Sequence, residues 1–179
     1  EMLHDTEVKA ILCARGGYGA IRIVDSIQWA SQLRAPKWII GFSDITVFHQ
    51  KLNRFDVQSI HGTMPLNFKT NSEESFSTLF KALTGEPYEI KCANHSCNKV
   101  GDATGKLVGG NLSILYSLLG TNDQPNYQDT ILFIEDVGEQ LYNIDRMLYT
   151  FKKTGVFEQI KGLIVGGMTD LKDTETPTG

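Results

Sequence analysis

Three cysteines are too few, and of the wrong parity, to staple a chain of 179 residues together. An odd count leaves at least one thiol unpaired, which argues against a disulfide framework and for a reducing compartment. Long apolar runs are also missing. No stretch approaches the roughly 20 residues of a membrane-spanning helix, and no signal peptide opens the chain, so the expected location is the cytoplasm. Positive charge is the third shortage. Lys and Arg number 17 against 21 Asp and Glu, for a net charge of −4, and the basic residues are scattered. Such a surface offers no field for a phosphate backbone, and nucleic acid is not an expected partner. The 41% of hydrophobic residues is enough for a globular core.

Strands and helices alternate along the chain. Lys9 to Arg15 is a short apolar run that ends in Gly16-Gly17-Tyr18-Gly19, and the following residues have helical spacing, with Ile21, Ile23, Val24, Ile27 and Leu33 on one broad face. Lys37 to Phe42 reads as a second strand, Asp44 to Phe55 as a second helix with Val47, Phe48 and Leu52 inward, and Val57 to His61 as a third strand. Continuous apolar runs separated by helices indicate an α/β fold with a parallel sheet covered on both faces. Residues 72–100 are mostly polar, with one helix expected over Phe76 to Leu83 and a short strand over Tyr88 to Cys92, and read as a linker. Beyond it come a helix over 112–119, a strand over 130–136, a helix from about Tyr142 to Lys153 and a strand over 161–168. Two domains are expected, 1–71 and 101–179.

Four places can carry chemistry. The glycine loop R-G-G-Y-G-A, Arg15 to Ala20, can bring backbone N–H groups to an anion at a helix start, for a phosphate or an oxyanion alike; a tight turn explains it equally well. Ser43 follows a strand and precedes a helix. It is either a nucleophile exposed on a sharp turn, with the N–H of Asp44 placed for an oxyanion, or the N-cap of the next helix. Local pattern favours the cap, because Ile45 occupies a position where a nucleophile elbow wants a small residue. Glu135 and Asp136 end an apolar strand, where a carboxylate can orient a histidine or simply be solvated. The histidines are His4, His49, His61 and His95, and none is marked as a base. Cys92, His95 and Cys97 form C-x2-H-x-C, but no second ligand pair follows at zinc spacing, so no metal site is expected. Asn94 and Asn111 head glycosylation-type triplets that matter only in a secreted eukaryotic chain.

Eight short motifs in one order resemble the serine-type LD-carboxypeptidases, also called muramoyltetrapeptide carboxypeptidases. They are A-R-G-G-Y-G-A (14–20), G-F-S-D-I-T (41–46), H-G-T-M (61–64), G-K-L-V-G-G-N-L-S (105–113), L-G-T (119–121), L-F-I-E-D-V-G-E (132–139), Y-N-I-D-R-M-L (142–148) and K-G-L-I-V-G-G (161–167). The resemblance implies a Rossmann-like N-terminal domain, lacking its first strand, and part of a C-terminal α/β domain with a barrel-like sheet. It also implies a Ser-Glu-His triad, with Ser43 as nucleophile, Glu135 as the acid, and an oxyanion hole from the N–H of Asp44 with that of Gly16 or Gly17. Arg15, Tyr18 and Asn111 fall in motifs near the substrate cleft. The implied substrate is a murein tetrapeptide that loses its terminal D-alanine, without a metal or organic cofactor. The family's triad histidine lies in a segment that would follow Gly179, and its members begin before Glu1, so a chain shortened at both ends, and inactive alone, is expected. Thr63 stands where the family has proline, which bears on a turn and not on the catalytic groups. A microcin-type self-immunity peptidase of the same fold and a non-catalytic binder of peptidoglycan fragments stay open, as does a homodimer.

Overall fold

The computed structural model describes residues 1–174. Strands β1 (Ala10–Leu12), β2 (Trp38–Gly41) and β3 (Ile60–His61) form a parallel sheet in that order, with Ile40 opposite Leu12 on one side and Ile60 on the other. Helices α1 (Ala20–Ile23), α2 (Ala30–Arg34) and α3 (Thr46–Arg54) accompany it. Val24, Trp29, Ile39, Ile45, Val47, Leu52 and Met64 make its core. Helix α4 (Glu73–Thr84) then starts on the Ser72 side chain, which accepts the N–H of Ser75.

A second parallel sheet holds β4 (Leu107–Asn111), β5 (Ile131–Val137) and β6 (Gly162–Thr169), in that order. Its three strands do not close into a barrel among the described residues. Helices α5 (Leu112–Ser117), α6 (Leu141–Lys153) and α7 (Val156–Gln159) go with it, and Leu112, Leu115, Tyr127, Leu132, Ile134, Met147 and Phe151 form its core. Side chains alternate across a strand, so Leu132, Ile134 and Asp136 of β5 face this core and are buried, whereas Phe133 and Glu135 face the other way.

Helix α3 joins the two sheets. Thr46 Oγ1 accepts the backbone N–H of Asn111 at 3.0 Å, and Gln50 donates to the Gly109 carbonyl at 2.7 Å. On its outer side Lys51 bridges Asp25 and Asp123.

Three expectations need correction. The helix after the glycine loop is not continuous. The Trp29 indole donates to the Val24 carbonyl at 2.7 Å, taking the acceptor that a continuing helix would offer to residue 28, and Ile27 is extended. Ile21, Ile23 and Leu33 are consequently exposed, not inward. The third strand starts only at Ile60, because Asp56 takes a left-handed turn and Val57 returns its N–H to Leu52. Tyr88 to Cys92 forms no strand, and both Tyr88 and Ile90 stay exposed.

Candidate active site

The backbone of Ser43 separates the two readings of this serine. Phe42 leaves β2 extended, and Ser43 then sits at φ 60°, in the left-handed region that costs a non-glycine residue roughly 1–2 kcal/mol. A 3-10 turn over Ser43–Ile45 runs into α3, and the residue in the cap position is Phe42, with no side chain capping the turn. Ser43 is therefore not the helix cap that local pattern favoured. A strained serine on a strand-to-helix turn is the geometry of a nucleophile elbow. Such a turn must be tight, and here Gly41 supplies the room that Ile45 denies. A Cβ on Gly41 would stand 3.0 Å from Ile45 Cγ1.

The glycine loop after β1 lies directly against this turn. A Cβ on Gly16 would come within 2.8 Å of Ser43 Cβ and 3.0 Å of its hydroxyl, so only glycine lets the loop backbone approach so closely. The Asp44 carboxylate, nearly buried, accepts the backbone N–H of Ala20 at 2.9 Å and so caps α1 from a distant part of the chain. That bond weakens the phosphate reading of the loop. Helix α1 has four residues, and its first N–H is already given to a carboxylate. Sequence pattern alone does not single out the Asp44 side chain; an acidic residue beside a serine, opposite a helix start with glycine at its cap, is the signal. Arg15 and Tyr18 are exposed on the loop, and Arg22 donates to the Tyr18 hydroxyl at 2.9 Å.

Glu135 lies level with Asn111 in the ladder between β4 and β5. Burial, then the neighbouring Asp136 charge, raises its carboxyl to about 7, against an opposing pull from the Asn111 amide. Its Oε1 is buried without a hydrogen-bond partner. Asp136, the other carboxylate of the pair, is spent on structure. It accepts from the Asn111 amide at 3.0 Å and from the Ser113 N–H at 2.9 Å, at the start of α5. Asn111 itself is buried and caps α5 by accepting the Ile114 N–H, so it is closed to glycosylation.

His61, the last residue of β3, places Nε2 3.8 Å from Glu135 Oε1 and packs edge-on against Phe133, with ring centroids 5.0 Å apart. The pair is not ionic in that direction, because burial, with His49 adding to it, drops His61 to about 3. His49 is buried on α3 and lies 2.8 Å from both the Gly41 carbonyl and Ser59 Oγ. His4 and His95 are exposed and far along the chain from these groups. Cys92 and Cys97 are exposed as well, and no group of three or more His, Cys, Asp or Glu side chains is placed to hold a metal ion among the described residues.

Residues 1–62 match the model of the LD-carboxypeptidase N-terminal domain, and residues 104–178 match that of the LD-carboxypeptidase C-terminal domain. A Synechocystis sp. protein with a provisional carboxypeptidase name is 36% identical over all of this chain and 58% of its own length. The murein tetrapeptide carboxypeptidase of Pseudomonas aeruginosa is 30% identical over 92% of this chain and 57% of its own length. Among solved structures, muramoyltetrapeptide carboxypeptidase from Oxalobacter formigenes superposes with a TM-score of 0.82 at 28% identity, covering 96% of this chain and 60% of that one. The microcin self-immunity protein MccF, bound to glutamyl sulfamoyl guanosine, shares the fold with a TM-score of 0.81 at 18% identity, covering 99% of this chain and 63% of that one. The chain spans somewhat more than half the length of the relatives it matches. With both of its domain models matched in order, the chain belongs to the LD-carboxypeptidase family.

Proposed function

We propose that the protein is a serine-type LD-carboxypeptidase that releases the terminal D-alanine from murein tetrapeptides in the cytoplasm. The observation that carries this reading is the strained backbone of Ser43, held on its turn with Gly16 packed against its side chain. Ser43 Oγ attacks the carbonyl of the amide before the D-alanine, and its proton passes to a histidine. The N–H groups of Asp44 and of Gly16 or Gly17 hold the tetrahedral oxyanion, at about 3 kcal/mol per donor in comparable sites. Collapse expels D-alanine, whose amine takes the proton from the imidazolium. Water, deprotonated by the same imidazole, then frees Ser43 from the acyl-enzyme.

Glu135 orients the base, and its unpartnered Oε1 is an acceptor for a ring N–H. None of the chain's own histidines fills that role. His49 has both nitrogens engaged, and His61 stands beyond hydrogen-bond reach at 3.8 Å. The base in this proposal is the histidine that the family carries in a segment corresponding to positions after Gly179. We place the elbow in an N-terminal domain over 1–71 and Glu135 in a C-terminal domain over 101–179, with the reaction at their junction; positions 175–179 lie outside the described residues.

The shared fold with MccF makes a peptidyl-nucleotide substrate the second reading. No helix among the described residues is long and apolar enough to cross a membrane. Assay of the full-length protein on murein tetrapeptide and on an aminoacyl sulfamoyl nucleoside separates the alternatives. Release of D-alanine with the nucleoside untouched is the expected result. Turnover of the nucleoside alone supports the second reading, and binding of tetrapeptide without turnover of either indicates a binding module.

A further inference from the structure

We propose that His49 is a positioning residue for the nucleophile: its ring holds the Gly41 carbonyl and thereby fixes the turn from which Ser43 is presented. The proposal rests on Ser43 being the nucleophile. Gly41 is the last residue of β2, and the orientation of the peptide that follows it sets Phe42 and then the left-handed Ser43. Its oxygen accepts two hydrogen bonds, one from the Gly62 N–H at 3.2 Å along the sheet edge and a shorter one from His49 Nε2 at 2.8 Å. His49 sits in the first turn of α3, the helix that the serine turn opens into. The ring thus clamps the strand before the nucleophile to the helix after it, and a turn held at both ends cannot relax its strain by rotating.

The tautomer follows from the partners. A carbonyl only accepts, so Nε2 carries the proton and Nδ1 must accept; the donor to Nδ1 is the Ser59 hydroxyl, 2.8 Å away just before β3. Burial pushes the ring down to about 4, which keeps it neutral at physiological pH, with the Gly41 contact opposing that shift. With both nitrogens occupied the ring cannot also serve as the base. It is a group that acts through the backbone of another residue.

The test uses the full-length protein and reads each variant per folded molecule, with its thermal unfolding midpoint recorded. His49→Leu removes the donor, whereas His49→Gln offers an amide N–H near the place of Nε2. The expected outcome is that His49→Leu lowers kcat for D-alanine release by roughly 10- to 100-fold with KM within about twofold, while His49→Gln recovers most of the loss. The rate at which a fluorophosphonate labels Ser43 should fall in the same order. A folded His49→Leu protein with wild-type kcat and labelling rate overturns the proposal, as does His49→Gln being as damaged as His49→Leu. Should His49→Leu fail to fold, Ser59→Ala takes its place; it should slow labelling, and unaltered labelling overturns the proposal. Imidazole nitrogen shifts of the wild type should show the Nε2-protonated form, and the Nδ1-protonated form contradicts it. A wild type that is labelled at Ser43 but releases no D-alanine rejects the substrate assignment, and the labelling series then decides the role of His49.

Discussion

The Asp44 carboxylate and the backbone N–H of Ala20 are hydrogen-bonded at 2.9 Å across 24 positions of sequence. One short contact joins the residue after the serine to the helix start after the glycine loop. It keeps the loop and the elbow in one arrangement, with the Asp44 N–H on the elbow and those of Gly16 and Gly17 on the loop.

Removing that contact should loosen both. Asp44→Ala leaves the Ala20 N–H buried without its acceptor, a change that costs about 1–3 kcal/mol. Urea unfolding should register the loss, and Asp44→Asn, which keeps an acceptor, should recover part of it. Labelling of Ser43 should slow in Asp44→Ala even where the protein is folded.

Gly16→Ala brings a methyl group to 2.8 Å from Ser43 Cβ. The loop or the serine must then shift, at about 1–3 kcal/mol of overpacking, and the displaced hydroxyl loses its line to the substrate carbonyl. We expect kcat to fall by roughly 100-fold with a smaller change in KM. A wild-type kcat would mean that the loop does not abut the reacting serine.

The backbone of Ser43 predicts an opposition between stability and function. Glycine tolerates φ 60° without the steric cost, at some loss of chain entropy. Ser43→Gly should therefore unfold at higher urea, by about 0.5–1 kcal/mol, while releasing no D-alanine. A destabilised Ser43→Gly protein would show that the turn is not strained.

Protonation of Glu135 couples to both stability and rate. Its folded carboxyl titrates near 7 against an ordinary value of 4.5, so between those pH values the folded state binds more proton than the unfolded one. The associated stability is present below about 4.5 and is lost as pH rises through 7. Glu135→Gln, which cannot titrate, should gain on the wild type by something on the order of 1–3 kcal/mol between pH 4.5 and 8. His49 and His61 act in the opposite direction. Their folded values of about 4 and about 3 lie below the ordinary 6.5, so each removes stability as pH falls through 6.5 toward those values. D-alanine release should rise with pH through the ionisation of Glu135 near 7, and that limb should vanish in Glu135→Gln.

The fold was legible where burial alone decides it. The runs W-I-I-G and I-L-F-I are continuous and apolar, and each forms the central strand of its sheet, although Leu163, Ile164 and Val165 of the neighbouring β6 are exposed, so the second sheet is not covered on both faces. The break after Val24 was not, since it depends on an indole reaching back to a backbone carbonyl, which periodicity does not encode. At the site, Ser43 and Glu135 stood out by place, each at the carboxyl end of a strand. Serine caps helices and also sits on elbows, so residue type alone could not separate the readings; the left-handed backbone does. Similarly, the neighbours Glu135 and Asp136 differ by the face of β5 they occupy, which decides that Asp136 binds α5 while Glu135 turns toward His61. The roles of Asp44 and His49 depend on contacts between separate elements.

The central claim is that Ser43 is the nucleophile, and D-alanine release from murein tetrapeptide by full-length wild type and Ser43→Ala proteins tests it most directly. The account predicts release by the wild type and none above background by a Ser43→Ala protein that folds normally. Equal release by the two would contradict it.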